Sequence, residues 1–299
     1  MPGTTAEERK AAKAGTVAGR RAYVAARRDA ARERDADRYR LAAQLAERTQ
    51  VEIPVDEGFV VLPPSVFESA GAVVATTNAV IDSIGHEQLI AEKANKAGTM
   101  AMRFLPPEQL ELGSPYLRFA LSPEVVGPIA AYFGIVPVLL DMDAWYSVHR
   151  RDTPRGSQLW HMDPTDSKQV KVWVYCSDVG LDSGPTTVLP ADASDLLAER
   201  IDYAMDERYR VPDDVVESLK TEKTIPLMGT TGSVSFVDTS SCFHFGSRVE
   251  AGGVPRRLVW FQYVTPYSFQ LSDELTEAPF RELATSETTE IDRLVLGAA

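Results

Sequence analysis

The chain has 299 residues, enough for a self-standing core without disulfide or structural-metal support. Its net charge of −12 argues against nucleic acid or an anionic membrane as the main partner. Two cysteines, Cys176 and Cys242, make neither a disulfide framework nor a four-thiolate zinc site, so buried reduced thiols are expected.

No apolar run approaches the roughly 20 residues that cross a bilayer, and the first residues lack the apolar stretch of a secretion signal. A cytoplasmic address and a small-molecule partner are the expectations. From about Thr5 to Thr49 the chain is rich in Ala, Arg and Glu, which favours helix. Because its apolar content is mostly Ala, thin packing is expected. We read residues 1–50 as a helical N-terminal arm, solvated or contacting a second copy in a homodimer, with an acidic partner as the alternative. Residues 51–299 form the second unit.

A strand is predicted at Gly58 to Leu62, then a helix on which Phe67, Ala70, Val74, Ile81 and Ile84 fall near one side, with Gly85 at its end. A second helix is entered by Ser122 and Pro123 and closed by Gly134. The later segments, from "VPVLLDMDAWYSVH" to "RRLVWFQYVTP", are short, β-branched or aromatic, and broken by Gly, Pro, Asp and Ser. Helical stretches interrupt them around Asp192 to Met205 and Asp213 to Lys220. The expected class is therefore mainly β with flanking helices (α+β): an antiparallel barrel or jelly roll with helices packed outside.

The segment "SQLWHMD" places His161 and Asp163 at i and i+2. At a strand start such residues project the same way with Cα atoms roughly 6.5–7 Å apart, so both reach one metal ion. His244, following the strand Gly232 to Val237, is the best third ligand among the four histidines. Two histidines and a carboxylate with open positions are the facial triad of non-haem Fe(II) oxygen chemistry. A bare His-x-Asp is weak by itself, and the order of parts makes it specific: His-x-Asp at a strand start, a distant His after a late strand, and a basic pair in the strand that follows.

These parts, with "EGFVVL" before a helix, "YFG" before a strand, "DSGPTTVLP", "GSVSFVDTSSCFHFG" and "PRRLVWFQYV", make the chain from about Gly58 to Pro266 similar to the phytanoyl-CoA dioxygenase-like (PhyH) branch of the Fe(II)- and 2-oxoglutarate-dependent oxygenases. The resemblance implies a double-stranded β-helix (cupin-like jelly-roll) core, iron ligation by His161, Asp163 and His244, 2-oxoglutarate as cosubstrate and O2 as oxidant. It also implies an arginine about a dozen residues past the distal His, pairing with the far carboxylate of the cosubstrate. Arg256 and Arg257 compete for that role, and alternation sends them to opposite faces. The family spacing to an aromatic near the strand end, Tyr263, selects Arg256.

In the strand after the metal motif, Val170, Val172, Val174 and Cys176 take one face, while Lys171, Trp173 and Tyr175 take the other. Barrel geometry favours the cavity for Trp173, and the resemblance implies that an aromatic side chain there lies against the cosubstrate. Tyr146 is a further candidate for the cosubstrate's other end or the substrate, with core packing as the alternative. The chain departs from the family after "GPTTVLP", where "ADAS" replaces a common Gly-Ser-His turn. His86 and His149 read as a helix-end and a hairpin residue, and Cys242 as a small apolar filler.

The implied reaction oxidises a small organic metabolite, such as an amino acid derivative or a secondary-metabolite intermediate, with conversion of 2-oxoglutarate to succinate and CO2. Halogenating relatives replace the carboxylate ligand by a small residue, so Asp163 favours hydroxylation, desaturation or ring formation. The rival readings are a cupin-like zinc or manganese hydrolase or isomerase, and a non-catalytic metabolite-binding protein.

Overall fold

The computed structural model describes residues 4–94, 101–103, 105, 110–149, 154, 156–205 and 209–298. Among the described residues, nine strands form two antiparallel sheets. The larger contains β1 (Phe59–Leu62), β2 (Ala101–Arg103), β3 (Val138–Ser147), β4 (Gln169–Tyr175), β7 (Val234–Asp238) and β9 (Arg256–Val264), in the order β1-β7-β4-β9-β3-β2. The smaller contains β5 (Thr187–Val188), β6 (Ile225–Pro226) and β8 (His244–Phe245), in the order β6-β5-β8. The mainly antiparallel, helix-flanked architecture agrees with the α+β expectation.

Alternation along the large sheet separates two environments. On one face Val170, Val172, Val174, Phe236, Val259 and Phe261 join Phe67, Val73, Tyr116 and Phe119 in the main core. Those partners come from α4 (Ala70–Ile84), α6 (Pro115–Ala120) and the turn before α4. On the other face Trp173, Tyr175, Leu258 and Trp260 pack with Val188 of β5 and Leu227 just past β6. The small sheet therefore covers the inner face of the large one, and the site lies at their junction.

Close backbone approach fixes one edge of this junction. Gly58 has φ +77°, its carbonyl accepts from Asp238 N at 2.7 Å, and a Cβ there would lie 2.6 Å from Cys242 Sγ. Only glycine meets both demands. The second predicted helix is present as α7 (Pro123–Phe133), closed by Gly134 in the left-handed region. Of the two late helices, α8 (Ala191–Arg200) ends earlier than expected and α9 (Asp213–Leu219) matches closely. The helices α5 (His86–Ala94), α6 and α10 (Glu290–Leu296) were not anticipated.

The N-terminal segment forms α1 (Ala6–Lys13), α2 (Val17–Ala31) and α3 (Ala36–Ala46). The expectation of thin packing fails for a physical reason: the segment docks through arginines as well as apolar residues. Leu41, Ala42 and Leu45 of α3 join the main core beside Val126 and Ile129 of α7. Arg20, Arg27 and Arg38 are buried and cap carbonyls across the expected boundary near residue 50. Arg27 donates to Tyr267 O, Ser268 O and Leu271 O and pairs with Asp273 at 2.7 Å. Arg38 donates to Val136 O and Leu294 O. Long stems and guanidinium forks let these residues pack and satisfy loop carbonyls at once. No helix among the described residues is long and apolar enough to cross a membrane.

Candidate metal centre

Two distant pieces of chain meet through a single antiparallel bridge. His161 N donates to His244 O at 3.1 Å, and His244 N donates to His161 O at 2.9 Å. Residues paired in this way carry their side chains on the same side. The two imidazoles accordingly lie with ring centroids 4.3 Å apart, inclined at 45°. Asp163 is fixed two residues on, where its N–H donates to Thr239 O at 2.7 Å. One ligand atom from each of His161, Asp163 and His244 lies within 4.8 Å of the other two.

The tautomers follow from the hydrogen bonds. His161 Nδ1 lies 2.8 Å from Leu159 O, and His244 Nδ1 lies 3.0 Å from Cys242 O. A carbonyl only accepts, so each Nδ1 carries the proton and each Nε2 presents a lone pair. Those Nε2 atoms are 3.7 Å and 3.9 Å from Asp163 Oδ1 and Oδ2, respectively. Burial and the neighbouring His244 push His161 down to about 3, and burial also lowers His244 against the pull of Asp163. Burial alone would raise Asp163, but the Lys171 ammonium at 2.7 Å prevails, with the imidazoles assisting, and holds the carboxyl well below the usual range. Two neutral imidazoles and one ionised carboxylate are the protonation states a divalent ion requires. The donor set, its spacing and its burial all fit a resident first-row ion such as Fe(II).

A buried carboxylate shapes the turn that delivers this geometry. Asp238, at the end of β7, accepts from Ser240 N, Ser241 N, Ser241 Oγ and Tyr132 OH. That turn presents Thr239 O to Asp163 and feeds directly into His244. Gln169, fully buried at the start of β4, donates from Nε2 to Asp163 Oδ2 at 3.0 Å and to Thr239 Oγ1 at 2.7 Å.

Arg256 opens β9 and is 2% exposed. It donates to Ser247 Oγ at 2.7 Å and reaches Thr186 Oγ1 at 3.5 Å, while its Nε has no partner among the described residues. Among the described residues no carboxylate pairs with it, and burial pushes it down to about 10. A Cβ on Gly246, two residues past His244, would stand 3.7 Å from both terminal nitrogens, so the guanidinium runs beside the ligand-bearing segment. Arg257 turns to the opposite face, where it pairs with Asp82 of α4 at 2.8 Å.

Trp173 lies on the inner face with Trp260 and Leu258, buried, with its indole Nε1 unpartnered among the described residues. Tyr146 is not brought to this face. It packs with Ile81 and Leu89 of the helical layer, and its hydroxyl lies 2.5 Å from His86 Nδ1. Its strand neighbours Trp145 and Ser147 point inward instead, Trp145 against Trp260 and Ser147 to Ser247. Sequence reasoning did not single out Gln169, Lys171, Thr186 or Ser247 as site residues. The alternation of β4 carried the signal for the first two, since both share the face of Trp173.

No family model matches the chain, and no curated protein matches it. Solved structures to which the chain is similar include AviO1 from Streptomyces viridochromogenes Tue57, at 18% identity, covering 76% of this chain and 96% of that one, with a TM-score of 0.46. EctD from S. alaskensis, solved with 2-oxoglutarate and 5-hydroxyectoine, has 15% identity, coverage of 76% and 75%, and a TM-score of 0.46. HygX from Streptomyces hygroscopicus, solved with nickel and 2-oxoglutarate, has 17% identity, coverage of 70% and 83%, and a TM-score of 0.43.

Proposed function

We propose that this protein is a non-haem Fe(II)- and 2-oxoglutarate-dependent oxygenase that oxidises a small organic metabolite. The observation that carries the reading is the convergence of His161, Asp163 and His244 within 4.8 Å, in the protonation states of metal ligands, beside a buried arginine with no carboxylate partner among the described residues. We read the two sheets as the major and minor sheets of a double-stranded β-helix, with the cage at their junction.

His161, Asp163 and His244 would hold the iron, which with O2 and 2-oxoglutarate supplies the oxidising power. Three protein ligands leave coordination positions for exogenous groups. Arg256 would take the far carboxylate of 2-oxoglutarate, because its planar fork is buried and otherwise answered only by hydroxyls. Ser247 and Thr186 orient that fork, and Ser247 is itself held by Ser147. Trp173 would line the cosubstrate with an apolar wall and keep water out, its free indole N–H offering one donor. The carboxylate ligand favours hydroxylation, desaturation or cyclisation over halogenation.

The test is succinate formation from 2-oxoglutarate by the Fe(II)-loaded protein under air. Succinate that requires O2 and disappears in Asp163→Ala supports the reading. Zinc- or manganese-dependent turnover that persists without O2 would instead favour a cupin-like hydrolase or isomerase. Binding of 2-oxoglutarate without any succinate would leave a non-catalytic sensor.

A further inference from the structure

We propose that Lys171 sets the charge of the metal cage through Asp163 and thereby governs how strongly a bound divalent ion attracts anionic ligands. The inference rests on the metal-site reading above and deepens it. Lys171 Nζ lies 2.7 Å from Asp163 Oδ2, the same oxygen that accepts from Gln169 Nε2 at 3.0 Å. Two donors therefore occupy Oδ2, which lies 3.9 Å from His244 Nε2, while Oδ1 lies 3.7 Å from His161 Nε2.

Positioning alone does not require both donors. The Gln169 amide is already oriented at both ends, since its Oε1 accepts from Gln262 Nε2 at 3.4 Å and its Nε2 also reaches Thr239 Oγ1. What Lys171 adds is a fixed positive charge, its ammonium 5.3 Å from the Trp260 ring centroid and its side chain 13% exposed. Two neutral imidazoles and a lone carboxylate would carry a charge of −1. With the ammonium in contact the protein contribution falls to zero, and a divalent ion keeps its full charge toward whatever fills the remaining positions. In a site this sheltered, charge balance is felt strongly. The cage thus gives up some affinity for the ion and gains affinity for anions, which suits capture of a dianionic cosubstrate. Lys171 is a positioning and charge-setting residue; it acts through Asp163.

The test uses the full chain loaded with cobalt(II), whose visible spectrum reports binding, titrated separately with 2-oxoglutarate and with azide. In Lys171→Met and Lys171→Gln, cobalt is expected to bind as tightly as in the wild type or more so, while both anions bind at least about tenfold more weakly. Lys171→Arg keeps the charge and should hold anion affinity within about threefold of wild type. Thermal melts establish folding, and if the Met variant does not fold, the Gln and Arg variants carry the comparison. Loss of cobalt and anion affinity together would make Lys171 a structural strut and overturn the proposal. So would unchanged anion affinity in the Met or Gln variant, or full rescue by Gln, whose amide donates without charge. A wild-type protein that takes cobalt and azide but not 2-oxoglutarate would defeat the cosubstrate reading while azide still reports on Lys171. One that takes no cobalt would defeat both.

Discussion

Arg20 of α2 donates from Nη2 to the carbonyl of Asp166 at 2.7 Å, joining two residues 146 positions apart and three residues from a proposed metal ligand. The same loop is held from its other side. Asp166 accepts from Thr265 N and Thr265 Oγ1, and Thr165 O accepts from Phe269 N and Ser268 Oγ. Arg27 in turn grips the carbonyls of Tyr267 and Ser268. The N-terminal helices therefore brace the loop that carries Asp163. Replacing Arg20 by Met keeps much of the stem but strips a buried carbonyl of its donor, a loss of roughly 1–3 kcal/mol. Calorimetry should find a lower melting temperature, and titration calorimetry weaker metal binding. Wild-type values for both would separate the arm from the site.

That bracing was not legible in the sequence, because composition treats arginine as surface charge and gives no sign that a fork will cap carbonyls more than 140 residues away. The cage was legible for the opposite reason. His161 and Asp163 are two apart, and the local order around His244 narrowed the third ligand; the strand expected at the pair is only an isolated bridge at His161, with β4 starting at Gln169, and the Thr239 carbonyl holds Asp163 in place. Alternation also sorted β4 correctly: the valines went to the helical core, and Lys171 and Trp173 to the inner face. The pairing of β1 with β7 joins Phe59 to Val237 across most of the chain, and no local pattern encodes such a register. Tyr146 takes the alternative given for it, core packing, since it pairs with Arg257 across β3 and β9 and shares that residue's outward face.

Arg256 and Arg257 occupy adjacent positions with opposite surroundings, which gives a paired test. Arg256→Met should raise the dissociation constant for 2-oxoglutarate by about a hundredfold, the loss expected for a bidentate charged contact, with metal affinity unchanged. Arg257→Met removes a half-exposed ion pair with Asp82 and should alter cosubstrate binding less than about twofold. Equal effects of the two substitutions would contradict the assignment of the inner arginine.

Removing one imidazole tests the cage independently of turnover. His161→Ala and His244→Ala each delete one of the three proposed ligands, and each should weaken cobalt or nickel binding by at least about a hundredfold. Because both backbones stay bridged through their N–H and carbonyl groups, far-UV circular dichroism should be unchanged. A variant that keeps wild-type metal affinity would remove that histidine from the ligand set.

Gly58 carries two separable constraints, a left-handed backbone and a steric contact with Cys242. Gly58→Ala should destabilise the fold by about 2–4 kcal/mol, since the added methyl meets sulfur inside van der Waals contact and φ stays positive. Adding Cys242→Ala removes the collision with sulfur but leaves a tight 3.1 Å contact with Ala191 Cβ and the backbone strain. The double variant should therefore recover part of the loss and retain roughly 1 kcal/mol of it. Chemical denaturation of the four proteins in the cycle measures both parts, and purely additive losses would show that the two residues do not touch.

Tyr146 supplies the converse control, a buried aromatic with a polar tip on the face away from the cage. Its hydroxyl meets His86, and its ring packs with Ile81 and Leu89, so its contribution belongs to the attachment of α4 and α5 to β3. Tyr146→Phe should lower stability by about 1 kcal/mol through loss of that hydrogen bond. It should leave cobalt and 2-oxoglutarate affinities within about twofold of wild type, because no route through β3 carries its side chain to the inner face. Cosubstrate affinity that fell tenfold or more in this variant would mean that the β3 side chains exchange faces when the site fills, and Trp145 would then have to leave its place against Trp260.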